Sequence, residues 1–381
     1  MRIVIEADAI VTDKMSGIGH ATLEMIRAIS MQLKDTQDRL IIIIPFGTKK
    51  NLLKHELESV TVRQLPPFYK YVNYALTRTS LPIPMDLLYG RGVYIFPNYK
   101  NWYVPFSRSI TFVHDVAFKI LPDTTNPKNL AYLNANFTRW LKRTDTIIAI
   151  SDESKHEIAT YFPKYANKIK RIYLGIDENT FYRQKQDKVD AALKKYNIKP
   201  NYFVYVGNIE PRKNLITLLD AYKEYIDTTK DNAQLVIIGG GGWNNGEIVE
   251  HIHQLIVEGY DVNHPSQYVE DDALPAIYSG CRALVHIALH EGFGLSPVQA
   301  QACGAPVVVS NLAVFRETLD DANLFIVQDS LNVHEVAEAM KRAKAAGQNR
   351  KPYITELTWG NTARGLLSLV DIARSKRYRD A

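Results

Sequence analysis

The sequence predicts an α/β protein made of two doubly wound, Rossmann-like domains facing a cleft. Three observations carry this reading. Short β-branched runs alternate with helical patterns, which indicates a parallel sheet covered on both faces. The alternation restarts after Gly175. The length of 381 residues suits two such domains better than one. Hydrophobic residues make up 46% of the chain and charged residues 23%, enough apolar material to fill full cores and too much for a mainly disordered chain. No triplet or heptad repeats, so collagen-like and coiled-coil classes are excluded.

Taken in order, Arg2–Val11 reads as a buried strand and Thr12–Gly19 as the loop after it. From His20 to Leu33 the residues Met25, Ile26, Ile29 and Leu33 share one helical face. Leu40–Ile44 is a second strand, stopped by Pro45, and Ile110–His114 and Thr146–Ile150 are two more. The second half opens with strand Tyr202–Val206 and a Pro-Arg-Lys turn. A helix follows with Leu215, Leu218, Leu219, Tyr222 and Ile226 on one stripe. Leu235–Ile238, Ala283–Leu289, Pro306–Val309 and Leu324–Val327 supply further strands. The polar stretch between Gly175 and Gln184 places the boundary, giving domains 1–178 and 179–360, and Thr358–Ala381 reads as a helix with a basic end.

Cys281 and Cys303 are too few for a disulfide framework and no Cys-x-x-Cys occurs, which fits a reducing cytoplasm. Glu6 and Asp8 break any secretory apolar region at the start. The longest apolar run, Leu40–Phe46, is far short of the ~20 residues of a spanning helix. The formal charge of +5 is unevenly spread, with residues 1–180 net basic and the remainder slightly acidic. Phe68–Phe112 holds twelve aromatic residues, and Lys and Arg outnumber Asp and Glu over residues 49–143. That mixture suits either a loop-rich core patch with a solvated basic rim or an anionic membrane interface.

Ligands of such sheets bind beyond the carboxyl ends of the strands, so residues just after a strand carry most weight. Gly17 and Gly19 lie between a strand and a helix start, where backbone can approach an anion. Thr22 stands where a dinucleotide fingerprint needs its third glycine, which argues against a nicotinamide enzyme. His114 ends a strand, as a cleft residue or as a structural one. Arg212 and Lys213 open a helix, where cations oppose the helix dipole unless a polyanion such as a diphosphate sits between them. Glu291, the loop Gly292-Phe293-Gly294-Leu295 and a helix start converge after strand Ala283–Leu289. Ser296 reads as the N-cap, Pro297 as the first helical residue and Gln299 as the reciprocal capping-box residue, so Gln299 caps its helix, binds a ligand, or both.

The stretches Gly17–Gly19, His114-Asp115, Ala149-Ile150-Ser151, Tyr173–Asp177, Val206–Asn214 and Glu291–Ser310 together resemble retaining GT-B glycosyltransferases of family four. That family carries a Glu-x7-Glu motif, whose second glutamate is Gln299 here, and the nearest likeness is to mannosyltransferases of surface-polysaccharide assembly. The resemblance implies that the second domain binds a nucleotide-sugar donor. Arg212 and Lys213 would hold its diphosphate, Glu291 the hydroxyls of the transferred sugar and Gln299 the ribose, with the Gly292–Leu295 backbone beside them. Gly17, Gly19 and His114 would approach from the first domain, where a glycan or lipid-linked acceptor sits, and helix 361–381 would return to that domain. It further implies a front-face hexosyl transfer with no cofactor and no metal, since no Asp-x-Asp site is visible and Asp271-Asp272 falls in a surface turn. No nucleic acid is expected as a partner, and the expected location is cytoplasmic, peripheral at the inner membrane face. Two other classes stay open: a non-catalytic nucleotide- or glycan-binding protein on this fold, and a sugar-nucleotide epimerase.

Overall fold

A computed structural model describes residues 1–12, 15–52, 55–69, 83–265, 268–347 and 356–379. The chain divides into two compact units. One comprises Met1–Val116, Tyr132–Gly175 and Leu357–Ala381, the other Ala117–Ala131 and Ile176–Glu356.

The first unit contains β1 (Arg2–Glu6), β2 (Arg39–Ile44), β3 (Val60–Gln64), β4 (Val93–Phe96), β5 (Arg108–Val113), β6 (Thr146–Ala149) and β7 (Ile169–Arg171). They form a seven-stranded parallel sheet in the order β3-β2-β1-β4-β5-β6-β7, with Ile5 of β1 opposite Ile42 on one side and Ile95 on the other. The second unit contains β8 (Tyr202–Val206), β9 (Gln234–Ile238), β10 (Val262–Asn263), β11 (Ala283–His286), β12 (Val307–Ser310) and β13 (Leu324–Val327). These form a six-stranded parallel sheet in the order β10-β9-β8-β11-β12-β13. The order of strand addition reverses between β1 and β4 in one sheet and between β8 and β11 in the other. Such reversals open a crevice at the carboxyl ends of the strands. Both sheets follow from buried runs such as Leu40–Ile44 and Tyr202–Tyr205, which are apolar on both faces.

Several boundaries differ from the sequence reading. β1 stops at Glu6, and Asp8–Val11 is a 3-10 turn. Its last partner on β2 is Ile43, and Pro45 ends that strand. β11 likewise ends at His286 rather than Leu289. Helix α1 (Gly17–Leu33) begins before His20, because the Ser16 hydroxyl accepts the Gly19 N–H at 3.4 Å and starts the helix there. The short strands β3, β4, β7 and β10 escaped the pattern altogether.

Much of the aromatic stretch is core. Tyr94, Phe96 and Trp102 pack with Val4, Ile41 and Val104, and Tyr69 and Tyr89 lean on that cluster. Phe68 and Phe106 remain exposed, while Tyr71 and Tyr74 fall outside the described residues. In the second unit, helix α2 (Leu215–Thr229) packs Leu218, Leu219 and Tyr222 against Phe203, Leu235 and Ile237.

The last helix, α3 (Trp359–Arg379), packs on α1 within the first unit. The Gln32 amide donates to the Gly360 carbonyl at 2.8 Å, and Thr362 Oγ1 donates to the Tyr173 carbonyl at 2.8 Å. A Cβ on Gly175 would stand 2.1 Å from the Trp359 nitrogen, so this approach requires glycine.

Candidate functional site

The loops after β8 and β11 bring Glu210, Arg212, Lys213 and Glu291 together. Beyond β8 the chain passes through a 3-10 turn, Pro211–Lys213, and beyond β11 it runs to helix α4 (Leu295–Ala302). The two loops are tied together by the Leu289 N–H, which donates to the Arg212 carbonyl at 2.9 Å. Asn214 adopts the left-handed conformation (φ 57°, ψ 39°) that asparagine tolerates better than most residues. Its Nδ2 donates to the Ser330 carbonyl at 2.7 Å and the Ile287 carbonyl at 3.3 Å, fixing where the Arg-Lys turn can sit.

Glu291 is the centre of this site. Its Oε1 accepts from the Lys213 ammonium and, at 2.8 Å, from His286 Nε2. Its Oε2 lies 3.5 Å from Arg212 Nη1. Arg212 also donates to the Glu210 carboxylate at 2.8 Å and to the His290 carbonyl at 2.8 Å. Burial alone would raise the Glu291 carboxyl, but Lys213, then His286 and Arg212, hold it well below the usual carboxylate range. Burial also pushes His286 down and the Tyr205 hydroxyl up, the latter helped by Glu291 and Glu210.

This geometry corrects the electrostatic argument made from sequence. By sequence, two cations at a helix start call for an external polyanion. The fold supplies two acids instead, Glu210 and Glu291, both buried or nearly so. What survives is donor capacity: a Lys213 ammonium has three N–H bonds, and only one is directed at Glu291.

Gly292, Phe293 and Gly294 form the buried loop leading to α4. Gly294 has φ +83°, and a Cβ there would meet Phe315 Cε1 at 2.6 Å. The helix therefore starts at Leu295 with Gly294 at its cap, not with Ser296. Ser296 and Pro297 are already inside the first turn, and the capping-box role expected of Gln299 is lost. Gln299 is partly buried and makes no side-chain hydrogen bond among the described residues.

Sequence reasoning missed three contributors. Glu210 stands at the start of the Pro-Arg-Lys turn and His286 inside the expected strand Ala283–Leu289, neither with a role assigned, and only their burial beside Arg212 and Glu291 marks them. The run Gly239–Gly242 carried a readable signal, four glycines directly after a strand. A Cβ on Gly239 would stand 1.8 Å from the Gly207 carbonyl, and one on Gly242 would stand 2.8 Å from that of Ile209. That backbone contact shapes the Arg212 loop from behind.

The remaining candidates belong to the first unit. Gly17 is exposed with open space around it, but Gly19 is buried, and a Cβ there would lie 2.8 Å from the Ala9 carbonyl. Gly19 is thus explained by packing of α1 on the preceding turn. His114 follows β5, and its Nε2 lies 2.7 Å from the Pro97 carbonyl. A carbonyl only accepts, so Nε2 carries the proton and Nδ1 keeps its lone pair. Burial lowers the pKa of His114, against the opposing pull of the Pro97 carbonyl and Asp115. Among the described residues, no group of three or more His, Cys, Asp or Glu is placed to hold a metal ion, and Asp271 and Asp272 are exposed on a 3-10 turn.

Comparison with known proteins agrees with this architecture. Residues 188–356 match the family described as glycosyl transferases group 1. The O-antigen chain mannosyltransferase B of Escherichia coli is 30% identical over 227 residues, covering 59% of each chain. The O-antigen chain mannosyltransferase RfbU of Salmonella typhimurium is 26% identical over 251 residues, covering 63% of this chain and 65% of the relative. The chain thus spans less than two thirds of the length of these relatives. Among solved structures, Anabaena Alr3699/HepE in complex with UDP and glucose superposes with a TM-score of 0.69 at 16% identity, over 97% of this chain and 99% of the other. WaaG, a glycosyltransferase involved in lipopolysaccharide biosynthesis, gives 0.65 at 14% identity, over 98% of each. The fold is that of the GT-B glycosyltransferases.

Proposed function

We propose that the protein is a retaining glycosyltransferase that moves a hexose from a nucleotide-sugar donor to a hydroxyl of a glycan or lipid-linked acceptor in surface-polysaccharide assembly. The observation that carries this is the Arg212–Lys213–Glu291 cluster at the β8–β11 reversal, where a doubly wound sheet binds its ligand. Mannose is the favoured sugar, because both relatives are named mannosyltransferases, and GDP-mannose is the donor we propose for it.

In this reading the donor diphosphate takes hydrogen bonds from Lys213 and Arg212. Glu291 accepts from hydroxyls of the hexose, and Gln299, whose amide has no protein partner among the described residues, holds the ribose. The backbone of Gly292, Phe293, Gly294 and Leu295 lines the donor. Gly17 and His114 are the candidates in the first unit, where Nδ1 of His114 can accept a hydrogen bond from a hydroxyl. The bond between C1 and the leaving phosphate oxygen breaks, the acceptor oxygen attacks C1 from the same face, and its proton passes to the leaving diphosphate. Lys213 and Arg212 stabilise the charge that builds there. No metal and no cofactor take part, and no nucleic acid is a partner.

The working place is the cytoplasmic membrane face. No helix among the described residues is long and apolar enough to cross a membrane. Leu87, Leu88 and Phe106 are exposed on the segment carrying Arg91, whose guanidinium lies over the Phe106 ring at 5.4 Å. Apolar and cationic groups together favour an anionic lipid surface.

Incubation with a panel of nucleotide sugars, with and without a lipid-linked glycan extract, tests the proposal. Acceptor-dependent release of nucleoside diphosphate from one donor, with the anomeric configuration kept in the product, is expected. Conversion of the donor without acceptor would identify an epimerase, and donor binding without turnover a binding protein. Gln299→Glu should tighten nucleotide binding severalfold, because a charged acceptor makes the stronger hydrogen bond. Weaker binding would remove Gln299 from the ribose.

A further inference from the structure

His286 is the last residue of β11, and its imidazole is 2% exposed. The ring is held from two sides. It stacks on Tyr205 of the adjacent strand β8, with centroids 5.9 Å apart and planes within 8°. Phe315 meets it edge-on at 6.0 Å and 88°. In that slot Nε2 points at Glu291 Oε1, 2.8 Å away, and Nδ1 is buried with no partner.

These facts fix the proton. A carboxylate that remains charged can only accept, so Nε2 is the donor. Nδ1 is then a bare lone pair, a smaller cost than a buried N–H without an acceptor. His286 is therefore a neutral donor. It adds no charge to balance Glu291, which Lys213 and Arg212 already do.

The three partners of Glu291 differ in what a donor substrate would do to them. Lys213 and Arg212 are cations, and a diphosphate competes with Glu291 for both. His286 is neutral and enclosed by two rings, so a phosphate has no claim on it. We infer that His286 is a positioning residue that keeps the Glu291 carboxylate aimed at the transferred sugar when the diphosphate draws Lys213 and Arg212 away. This rests on the nucleotide-sugar reading of the same site.

Loss of the His286 N–H would affect the sugar and the nucleotide differently. A nucleoside diphosphate lacks the sugar and has no use for the position of Glu291, whereas the transferring donor does. His286→Phe keeps a ring against Tyr205 and Phe315 but removes the N–H. His286→Gln replaces the donor with an amide nitrogen. Nucleoside diphosphate affinity is expected to be unchanged in both. With a nucleotide sugar at saturating acceptor, kcat of His286→Phe should fall roughly tenfold, the worth of one buried hydrogen bond. KM for the donor should move less than about twofold, and His286→Gln should recover most of the loss.

Equal kcat in wild type and His286→Phe, or equal losses in Phe and Gln variants, would overturn the inference. A wild type that transfers no sugar from any donor would instead defeat the functional reading. Nitrogen NMR of the free protein judges the arrangement without turnover. Protonated Nε2 with bare Nδ1 is expected at neutral pH, and the opposite tautomer or a charged ring would overturn it.

Discussion

Lys213 shows how burial changes what the removal of one turn residue costs. From sequence it is a cation on a turn, removable with little effect on folding. In the structure its side chain is 11% exposed and paired with an equally enclosed Glu291. Without Lys213, the buried Glu291 keeps only Arg212 at 3.5 Å and the His286 N–H, so a part of the about 3–5 kcal/mol that a fully stranded buried charge costs is expected. Lys213→Ala should therefore lose stability as well as turnover, the latter by ~10²-fold. The pH dependence has a definite sign. Glu291 has a folded pKa below its unfolded value, so its contribution is present above the ordinary carboxylate range and fades as pH falls through the folded value. The gap in unfolding free energy between wild type and Lys213→Ala should thus be widest near neutrality and narrow in acid. A gap that is constant or grows in acid, in denaturant titrations across pH, would contradict the ion-pair account.

At the scale of elements, the loop between β11 and α4 is decided by one glycine. Gly294 has the backbone angle that side chains resist, and its missing Cβ makes room for Phe315. Gly294→Ala should cost at least about 1–3 kcal/mol and shift the start of α4. A melting temperature equal to wild type would show that the loop relaxes freely. This element also shows what sequence could and could not convey. The glycine loop, the helix after it and the neighbouring Glu291 were all legible, because each depends on local residue types. The cap was misplaced because Ser-Pro is a strong local start signal, and the Phe315 contact that overrides it comes from another part of the chain. The Arg212–Lys213 turn was legible as well, but its counter-ion was not. Glu291 lies 78 positions from Lys213, and only the adjacency of β8 and β11 joins them. His286 was hidden for the same reason, since an imidazole on a β-branched strand carries no periodic signal. Strands β7 and β10 were missed because three and two residues give too short a pattern to count, and β3 because it is a half-exposed edge strand with no apolar run.

For the whole molecule, the chain's closing segment belongs with its beginning. Helix α3 sits on α1 through Gln32–Gly360 and, beside it, Thr362–Tyr173. Ending the chain at residue 356 would uncover the α1 face and leave these partners to water. Hydrogen exchange should then lose protection in α1 and β7, while α2 of the second unit keeps its own. Unchanged protection in α1 would show that α3 contributes little to the first unit.

The charged cluster lies wholly within the second unit. If this cluster is a diphosphate site, calorimetric titration of nucleoside diphosphates will show it. One nucleoside diphosphate should bind the wild type at a single site. Folded Lys213→Ala should bind it about 10- to 100-fold more weakly, the range expected for a lost hydrogen bond to a charged group. Equal affinity in the two proteins, or no binding of any nucleoside diphosphate to the wild type, would contradict the account.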